Sequence, residues 1–132
     1  MHTESIRQRK LADQIKEYVS QILDRKIKDP RKGFVTITHV RVSGDLRIAS
    51  IYYTVLGDQE QRELTQAALE SAKNFIRGEM APHLNLRFIP ELRFFYDETQ
   101  EYSEHIEDLL RKIKHPQNQP DEAQDTGEKD ED

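Results

Sequence analysis

Hydrophobic residues recur every three or four positions in three segments of the chain, which is the spacing of an amphipathic helix. The first segment extends from about Ser5 to Lys28, and Ser5 with Gln8 has the form of a capping box. The second begins after Asp58, a favoured cap residue, and ends before Pro82. The third covers about Thr99–Lys114. Their apolar stripes, the candidate core of the helices, are Ile6, Leu11, Ile15, Val19, Ile22 and Leu23, then Leu64, Ala68, Ala72, Phe75, Ile76 and Met80, and finally Tyr102, Ile106, Leu109, Leu110 and Ile113.

Alternation with a period of two predicts three strands, at Phe34–Val42, Leu46–Leu56 and about Arg87–Tyr96. Pro90 lacks an amide donor, so the third strand either lies at a sheet edge or starts nearer Glu91. The order α-β-β-α-β-α then predicts an α+β domain in which helices cover one face of a three-stranded sheet.

Two local features refine the first two strands. Gly44-Asp45 suits a two-residue type II′ turn, with the glycine at the position that needs a positive φ. Val35 and Ile37 lie on one phase of the alternation and Val40 on the other, and a β-bulge between them reconciles the two.

Residues 115–132 have a different composition from the rest of the chain. They contain two prolines, seven acidic residues, one lysine and no apolar side chain larger than Ala123. Such a segment cannot bury enough apolar area to offset its ordering entropy. We therefore predict one folded domain over residues 1–114, followed by a disordered acidic tail.

The formal charge of −5 misrepresents the folded part, because the tail alone carries −6 and residues 1–114 carry +1. Residues 1–33 hold nine bases and five acids, whereas residues 97–114 hold three bases and six acids. A chain polarised in this way can present a cationic face to nucleic acid despite an acidic pI.

Several classes of protein find no support in the sequence. The chain has no cysteine, which excludes disulfides and thiolate catalysis, and no apolar run long enough to span a bilayer. The histidines are scattered, and the glycines form neither a P-loop nor a dinucleotide fingerprint. Glu104, Asp108 and Lys112 fit surface support of a helix better than paired catalytic carboxylates. We predict a soluble, cytoplasmic monomer that has no cofactor or metal and is not an enzyme.

The most informative segment is the basic turn before the first strand. Lys28, Arg31 and Lys32 flank Pro30 and precede Gly33, which gives the backbone freedom to enter the extended run. Exposed connections of this kind carry function more often than a core does. Solvated surface is the competing interpretation.

A second candidate lies within the second long helix, at Asn74. Asparagine tolerates the left-handed conformation best among non-glycine residues, and a break there would expose backbone amides that attract phosphate. Lys73 and Arg77 lie one turn apart and would flank that site. An unbroken helix with Asn74 on its wet side is the alternative. On the second strand, Tyr52 fits a cross-strand aromatic pair, with stacking on a base as the other possibility.

The chain resembles the ribosome-binding factor A family of bacterial small-subunit assembly factors. The matching segments occur in the family's order and span about residues 4–114; they are Lys28–Thr38, Val55–Asp58, Ala68–Arg77 and Pro90–Glu98. The resemblance implies a KH-like fold of type II without the usual G-x-x-G loop. It also implies a helix-kink-helix with Ala-x-Gly at the bend, where this chain has Ala72-Lys73-Asn74.

The resemblance further implies binding to the free small (30S) ribosomal subunit, with a role in late maturation and 16S rRNA processing near the 5′-terminal helix of the rRNA, and an association with cold adaptation. We expect backbone-and-shape recognition of rRNA, without catalysis, by cations on the first helix, the Pro30 turn and the kink. A protein-interaction module with no direct RNA contact is the alternative function. The predicted RNA-binding residues are Arg7, Arg9, Lys10, Lys28, Arg31, Lys32, Lys73, Asn74 and Arg77.

Overall fold

A computed structural model describes residues 3–114 of the chain, except the side chains of residues 100–105 and 114. The predicted tail, residues 115–132, lies outside the described residues. The elements in chain order are α1 (Ile6–Arg25), β1 (Val35–Val42), β2 (Ile48–Val55), α2 (Gln59–Met80), a 3₁₀ turn (Ala81–His83), β3 (Glu91–Tyr96) and α3 (Thr99–Lys114).

The three strands form a mixed sheet in the order β1-β2-β3. β1 pairs with β2 antiparallel, and β2 pairs with β3 parallel, so β3 lies at an edge as Pro90 indicated. One face of the sheet packs against α1 and α2 in a single hydrophobic core. The strand residues on this inner face are Ile37, Val40, Val42, Ala49, Ile51, Tyr53, Leu92 and Phe94. The α+β class and the arrangement of α1 and α2 on one face are confirmed.

The helix α3 belongs to a second compact unit that begins at Glu98, and it is described by itself. Its apolar stripe was expected to be buried, but Ile106, Leu109, Leu110 and Ile113 are 36% to 72% exposed. The prediction was wrong because helical spacing marks an apolar stripe without showing what covers it.

The capping box at the start of α1 is confirmed. The Ser5 amide donates to Gln8 Oε1 at 2.9 Å, and the Gln8 amide donates to Ser5 Oγ at 3.1 Å. Gln8 Nε2 also donates to the Val42 carbonyl at 2.8 Å, which ties the beginning of α1 to the end of β1. Ile6, which helical spacing placed on the apolar stripe, is 81% exposed because the buried side of α1 begins only at Gln8.

The β-bulge in β1 is confirmed, since the register shifts between Ile37 and His39. The type II′ turn is wrong. The hairpin closes through a longer loop in which the Leu46 amide donates to the Ser43 carbonyl at 2.9 Å. Leu46, with φ of 62°, takes the left-handed conformation that was assigned to Gly44.

The helix α2 is continuous through Asn74, so the predicted break is wrong. Leu46 is the only non-glycine residue with positive φ between residues 3 and 114. Buried residues on both sides of Asn74, Leu69 before it and Ile76 and Met80 after it, hold the helix against the sheet in one piece. The small intrinsic penalty of asparagine in a helix is easily offset by that burial.

Candidate nucleic-acid interface

The basic turn is organised around Asp29. Its Oδ1 accepts the Arg31 backbone amide at 3.0 Å, and its carbonyl accepts the Lys32 amide at 3.0 Å. The Arg31 guanidinium folds back on the same carboxylate, with Nη2 2.6 Å from Oδ2. This side-chain hydrogen bond lowers the pKa of Asp29 and raises that of Arg31. Gly33, with φ of 69°, then turns the chain towards β1.

The turn is also fastened to α2. Gln61 Nε2 donates to the Arg31 carbonyl at 3.1 Å, and the Thr65 hydroxyl donates to the Lys32 carbonyl at 2.8 Å. Arg31 Nη2 reaches Ser71 Oγ at 3.3 Å. Thr65 is fully buried, so the backbone of the turn is anchored to the hydrophobic interior. The cations of the turn are therefore held in place rather than carried on a loose loop.

The three cations of the turn have different roles. Lys32 Nζ donates to the Leu23 carbonyl at 2.6 Å, which satisfies an open acceptor in the last turn of α1. Lys28 is exposed and has no hydrogen bond or ion pair with any described residue. Arg31 is exposed and keeps donors free beyond Asp29 and Ser71. Lys28 and Arg31 are available to a ligand, whereas Lys32 stabilises the fold.

Lys73 and Arg77 lie on a different side of α2 from Ser71. Lys73 Nζ pairs with Glu70 Oε1 at 2.7 Å. Arg77 Nε donates to the Pro90 carbonyl at 3.0 Å, and its Nη2 donates to the Ile89 carbonyl at 2.8 Å. Arg77 thus holds the segment that leads into β3. Because α2 is unbroken, the predicted phosphate site between these two cations is absent.

A surface forms where the turn and the end of α1 meet α2. Arg31 contacts Ser71, and Lys26 forms an ion pair with Glu79 eight residues further along α2, about 12 Å at helical rise. The exposed side chains between these contacts include Asn74 and Phe75, which is 48% exposed. Gly78 has open space above its backbone. We call this the turn–α2 surface; it comprises Lys26, Lys28, Arg31, Asn74, Phe75 and Gly78.

An open groove of about 240 Å³ adjoins this surface. The Tyr18 and His83 rings stack beside it, with centroids 5.2 Å apart and planes at 29°. Its lining residues are Tyr18, Gln21, Ile22, Arg25, Lys26, Glu79 and His83. The sequence interpretation missed Lys26, Phe75 and the stacked pair. The sequence signal that could have indicated this groove is the pair Arg25-Lys26, which closely precedes the basic turn.

The remaining predicted cations lie at the other end of α1. Arg7 and Lys10 are exposed, and Arg9 pairs with Glu4 at 3.0 Å. The 20-residue helix α1 is about 30 Å long, and these side chains lie near its beginning, whereas the basic turn follows its end. The nine predicted residues therefore do not form one patch. The structure places Arg31 against α2 at Ser71, three residues before Asn74, and Lys28 is exposed in the connection that leads to Arg31.

The part of the chain that the structure describes offers neither a membrane span nor a metal site. No helix there is long and apolar enough to cross a membrane. No group of three or more histidine or acidic side chains among the same residues is arranged to hold a metal ion.

Comparison with known proteins supplies the family. The family model of ribosome-binding factor A matches residues 7–110. The chain belongs to the ribosome-binding factor A family. A relative from Streptomyces griseus, itself called ribosome-binding factor A, is 52% identical over 112 residues, which cover 85% of this chain and 71% of the relative.

Solved structures of ribosome-binding factor A share the fold. The crystal structure of the Thermus thermophilus protein matches with a TM-score of 0.60 at 25% identity, over 67% of this chain and 94% of that one. A homology model of the T. thermophilus protein, fitted into the cryo-EM map of its complex with 30S, matches with a TM-score of 0.52 at 22% identity, over 73% and 97%. The second match supports the fold alone.

Proposed function

We propose that this chain binds the free 30S ribosomal subunit and assists late maturation, including 16S rRNA processing near the 5′-terminal helix of the rRNA, without catalysis. The observation that carries the proposal is the turn–α2 surface, where exposed Arg31 contacts Ser71 on the side of α2 that carries Asn74, Phe75 and Gly78, and Lys28 is exposed shortly before Arg31. Membership in the ribosome-binding factor A family supports the choice of partner. A KH-like relation of the fold, with the G-x-x-G loop absent, belongs to the same proposal.

The proposed mechanism is electrostatic docking on structured RNA. The exposed cations neutralise phosphates and release counterions, which supplies affinity without reading sequence. The hydrogen bonds from Gln61 and Thr65 hold the turn in its bound shape, so little ordering entropy is lost on binding. Binding then favours one rRNA conformation by differential affinity, and no bond is made or broken.

Co-sedimentation with purified 30S subunits over a range of salt concentrations tests the proposal. The variant Lys28→Glu/Arg31→Gln removes the exposed cations and is expected to weaken binding about tenfold or more, with a salt slope lower by about one for each phosphate that the variant no longer neutralises. Lys16→Glu, an exposed lysine in the middle of α1, makes a comparable charge change away from the surface and serves as the control. Equal pelleting of all three proteins contradicts the site.

A protein-interaction module is the second candidate function. It is favoured by Phe34 and Leu56, which are 73% and 72% exposed and adjoin each other, since the Leu56 amide donates to the Phe34 carbonyl at 3.2 Å. Such exposed apolar side chains are typical of protein contacts. This function predicts binding that is almost insensitive to salt and is lost in Phe34→Ser/Leu56→Ser.

A further inference from the structure

The outer face of the sheet, opposite α1 and α2, carries three rings in a line. Register places His39 of β1 beside Tyr52 of β2, and Tyr52 beside Phe95 of β3. Their ring centroids are 5.9 Å and 5.5 Å apart, and adjacent planes are tilted by only 34° and 31°. Phe95 is 43% exposed, His39 is exposed and Tyr52 is half-buried. We call these residues the ring row.

Guanidinium groups lie beside the ring row on the same face. The neighbouring row on this face lies two residues along each strand from the ring row. In it, Arg41 of β1 and Arg93 of β3 flank Ser50 of β2. Arg93 pairs with Glu91 at 3.0 Å, whereas the Arg41 side chain has no hydrogen bond or ion pair within the part of the chain that the structure describes. The outer face thus combines flat apolar surface with positive charge.

Another cation and ring lie at the end of the sheet where β2 and β3 begin. The Arg47 guanidinium lies 4.1 Å from the centroid of the Phe88 ring, which is 52% exposed. Both lie where β2 and β3 begin, because the two strands are parallel and the Glu91 amide donates to the Arg47 carbonyl at 2.8 Å. This end of the sheet also carries acidic side chains, since Asp45 Oδ1 accepts the Arg47 amide at 3.1 Å and Glu91 pairs with Arg93.

We propose that the outer face is a second RNA contact, on which unpaired nucleotides stack their bases on the ring row while their phosphates approach Arg41 and Arg93. The inference rests on the proposed function for its ligand class. Aromatic side chains on an open sheet beside cations are the usual means of binding single strands. A protein partner is disfavoured at the ring row because the side chains next to the rings are Thr36, Ser50, Thr54 and charged groups. The exposed apolar pair Phe34 and Leu56 lies beyond Thr36 and Thr54, at the end of the sheet.

The two RNA contacts would differ in what they bind. The turn–α2 surface lies on the helical side and offers cations to phosphates of structured RNA. The ring row lies on the opposite side of the sheet and offers rings to bases, which a duplex keeps stacked inside. One molecule is thereby suited to hold a duplex and an adjoining unpaired segment at once.

The test uses the full chain and a single-stranded ten-nucleotide RNA that contains 2-aminopurine, whose fluorescence is quenched on stacking. Phe95→Leu and His39→Gln are expected to weaken binding by about fivefold to a hundredfold and to reduce the quench, since each removes one stacking ring. Tyr52→Phe keeps the ring and is expected to bind within twofold of the parent. Leu64→Ala, at an exposed apolar side chain of α2, is the control.

The inference is overturned if the parent does not quench the probe, or if Phe95→Leu and His39→Gln quench it as the parent does. The proposed function fails separately, if the parent does not pellet with 30S subunits. Retained quenching in Lys28→Glu/Arg31→Gln together with abolished quenching in Phe95→Leu assigns base stacking to the ring row.

Discussion

Tyr53 places a phenol in the interior of the domain. The residue is 1% exposed, its hydroxyl donates to Gln66 Oε1, and its ring meets Tyr96 edge-on at 5.9 Å. Burial raises the pKa of Tyr53, and the charges of Glu70 and Tyr96 raise it further. The native phenol therefore keeps its proton at a pH where an unfolded tyrosine ionises, above about 10.

A dependence of stability on pH follows from this shift. Because the unfolded state loses the proton first, the free energy of unfolding falls as pH rises above about 10, by up to about 1.4 kcal/mol per pH unit from this group. Tyr53→Phe is expected to lower stability by about 1 kcal/mol at pH 8, because the hydrogen bond to Gln66 is removed, and to unfold with a flatter pH profile. Urea denaturation between pH 8 and 11 measures both. Parallel profiles for the two proteins would contradict the assignment.

The use of a cation depends on its neighbours, which the sequence does not show. Lys28 and Lys32 belong to one turn, yet Lys32 binds the Leu23 carbonyl while Lys28 remains exposed. Arg77 was predicted to bind phosphate, and two of its five donors are directed at the carbonyls of Ile89 and Pro90, twelve and thirteen residues away. Contacts across the fold decide such roles. Sequence spacing therefore predicted the basic turn, but it did not show which of the predicted cations also hold the fold together.

At the scale of elements, two glycines in connections have opposite requirements. Gly33 has φ of 69°, and a Cβ there would lie 2.6 Å from Gln61 Nε2 and 3.3 Å from Val55 Cγ2. Gly44 does not have positive φ, and a Cβ there would meet nothing within 4 Å. The turn that positions Arg31 thus depends on glycine, and the hairpin loop does not.

Alanine substitutions separate the two positions. Gly33→Ala is expected to lower the free energy of unfolding by about 1–2 kcal/mol, because left-handed backbone strains an L-residue and Gln61 must move. Gly44→Ala is the matched control and is expected to change stability by less than about 0.5 kcal/mol. Chemical denaturation measures both. Equal losses of stability in the two variants would show that an added side chain at position 33 does not strain the turn.

Helices and strands were predictable because their patterns are local. The caps at Ser5 and Asp58, the phase change at Thr38 and most of the apolar stripes of α1 and α2 appear in the sequence before any tertiary contact forms. Three members of the predicted stripes, Ile6, Leu64 and Phe75, are exposed instead. The conformation of the loop between β1 and β2 was not predictable, because Leu46 takes a left-handed conformation while it packs partly against the core. The prediction of a break at Asn74 was wrong because the burial of residues on either side of it outweighs a weak local preference.

At the scale of the whole molecule, the cations predicted on α1 and the basic turn fall into two groups on the larger unit. Lys26, Lys28 and Arg31 lie beyond the end of α1. Arg7, Arg9 and Lys10 lie at its beginning, which Gln8 ties to the end of β1. The excess charge of residues 1–33 is therefore not gathered at one end of α1. Multiple separate contacts suit a large, folded RNA better than a short ligand.

The acidic segment 115–132 gives a prediction at this scale. From its composition, we expect deletion of residues 116–132 to leave the unfolding temperature unchanged within about 2 °C, because the segment has no apolar surface to bury. Removal of six net negative charges is also expected to strengthen RNA binding at low salt and to have no effect at high salt. Calorimetry and RNA titration test the two effects. A loss of several kcal/mol on deletion would show that the segment packs on the domain.

The open space above Gly78 makes the chain convenient to label. Cysteine is absent from the sequence, so Gly78→Cys introduces a unique thiol on α2 where an added Cβ meets nothing within 4 Å. An iron chelate attached there cleaves ribose within its reach when hydroxyl radicals are generated. The cleavage pattern on 16S rRNA then maps the nucleotides that face the helix, without the removal of any native thiol.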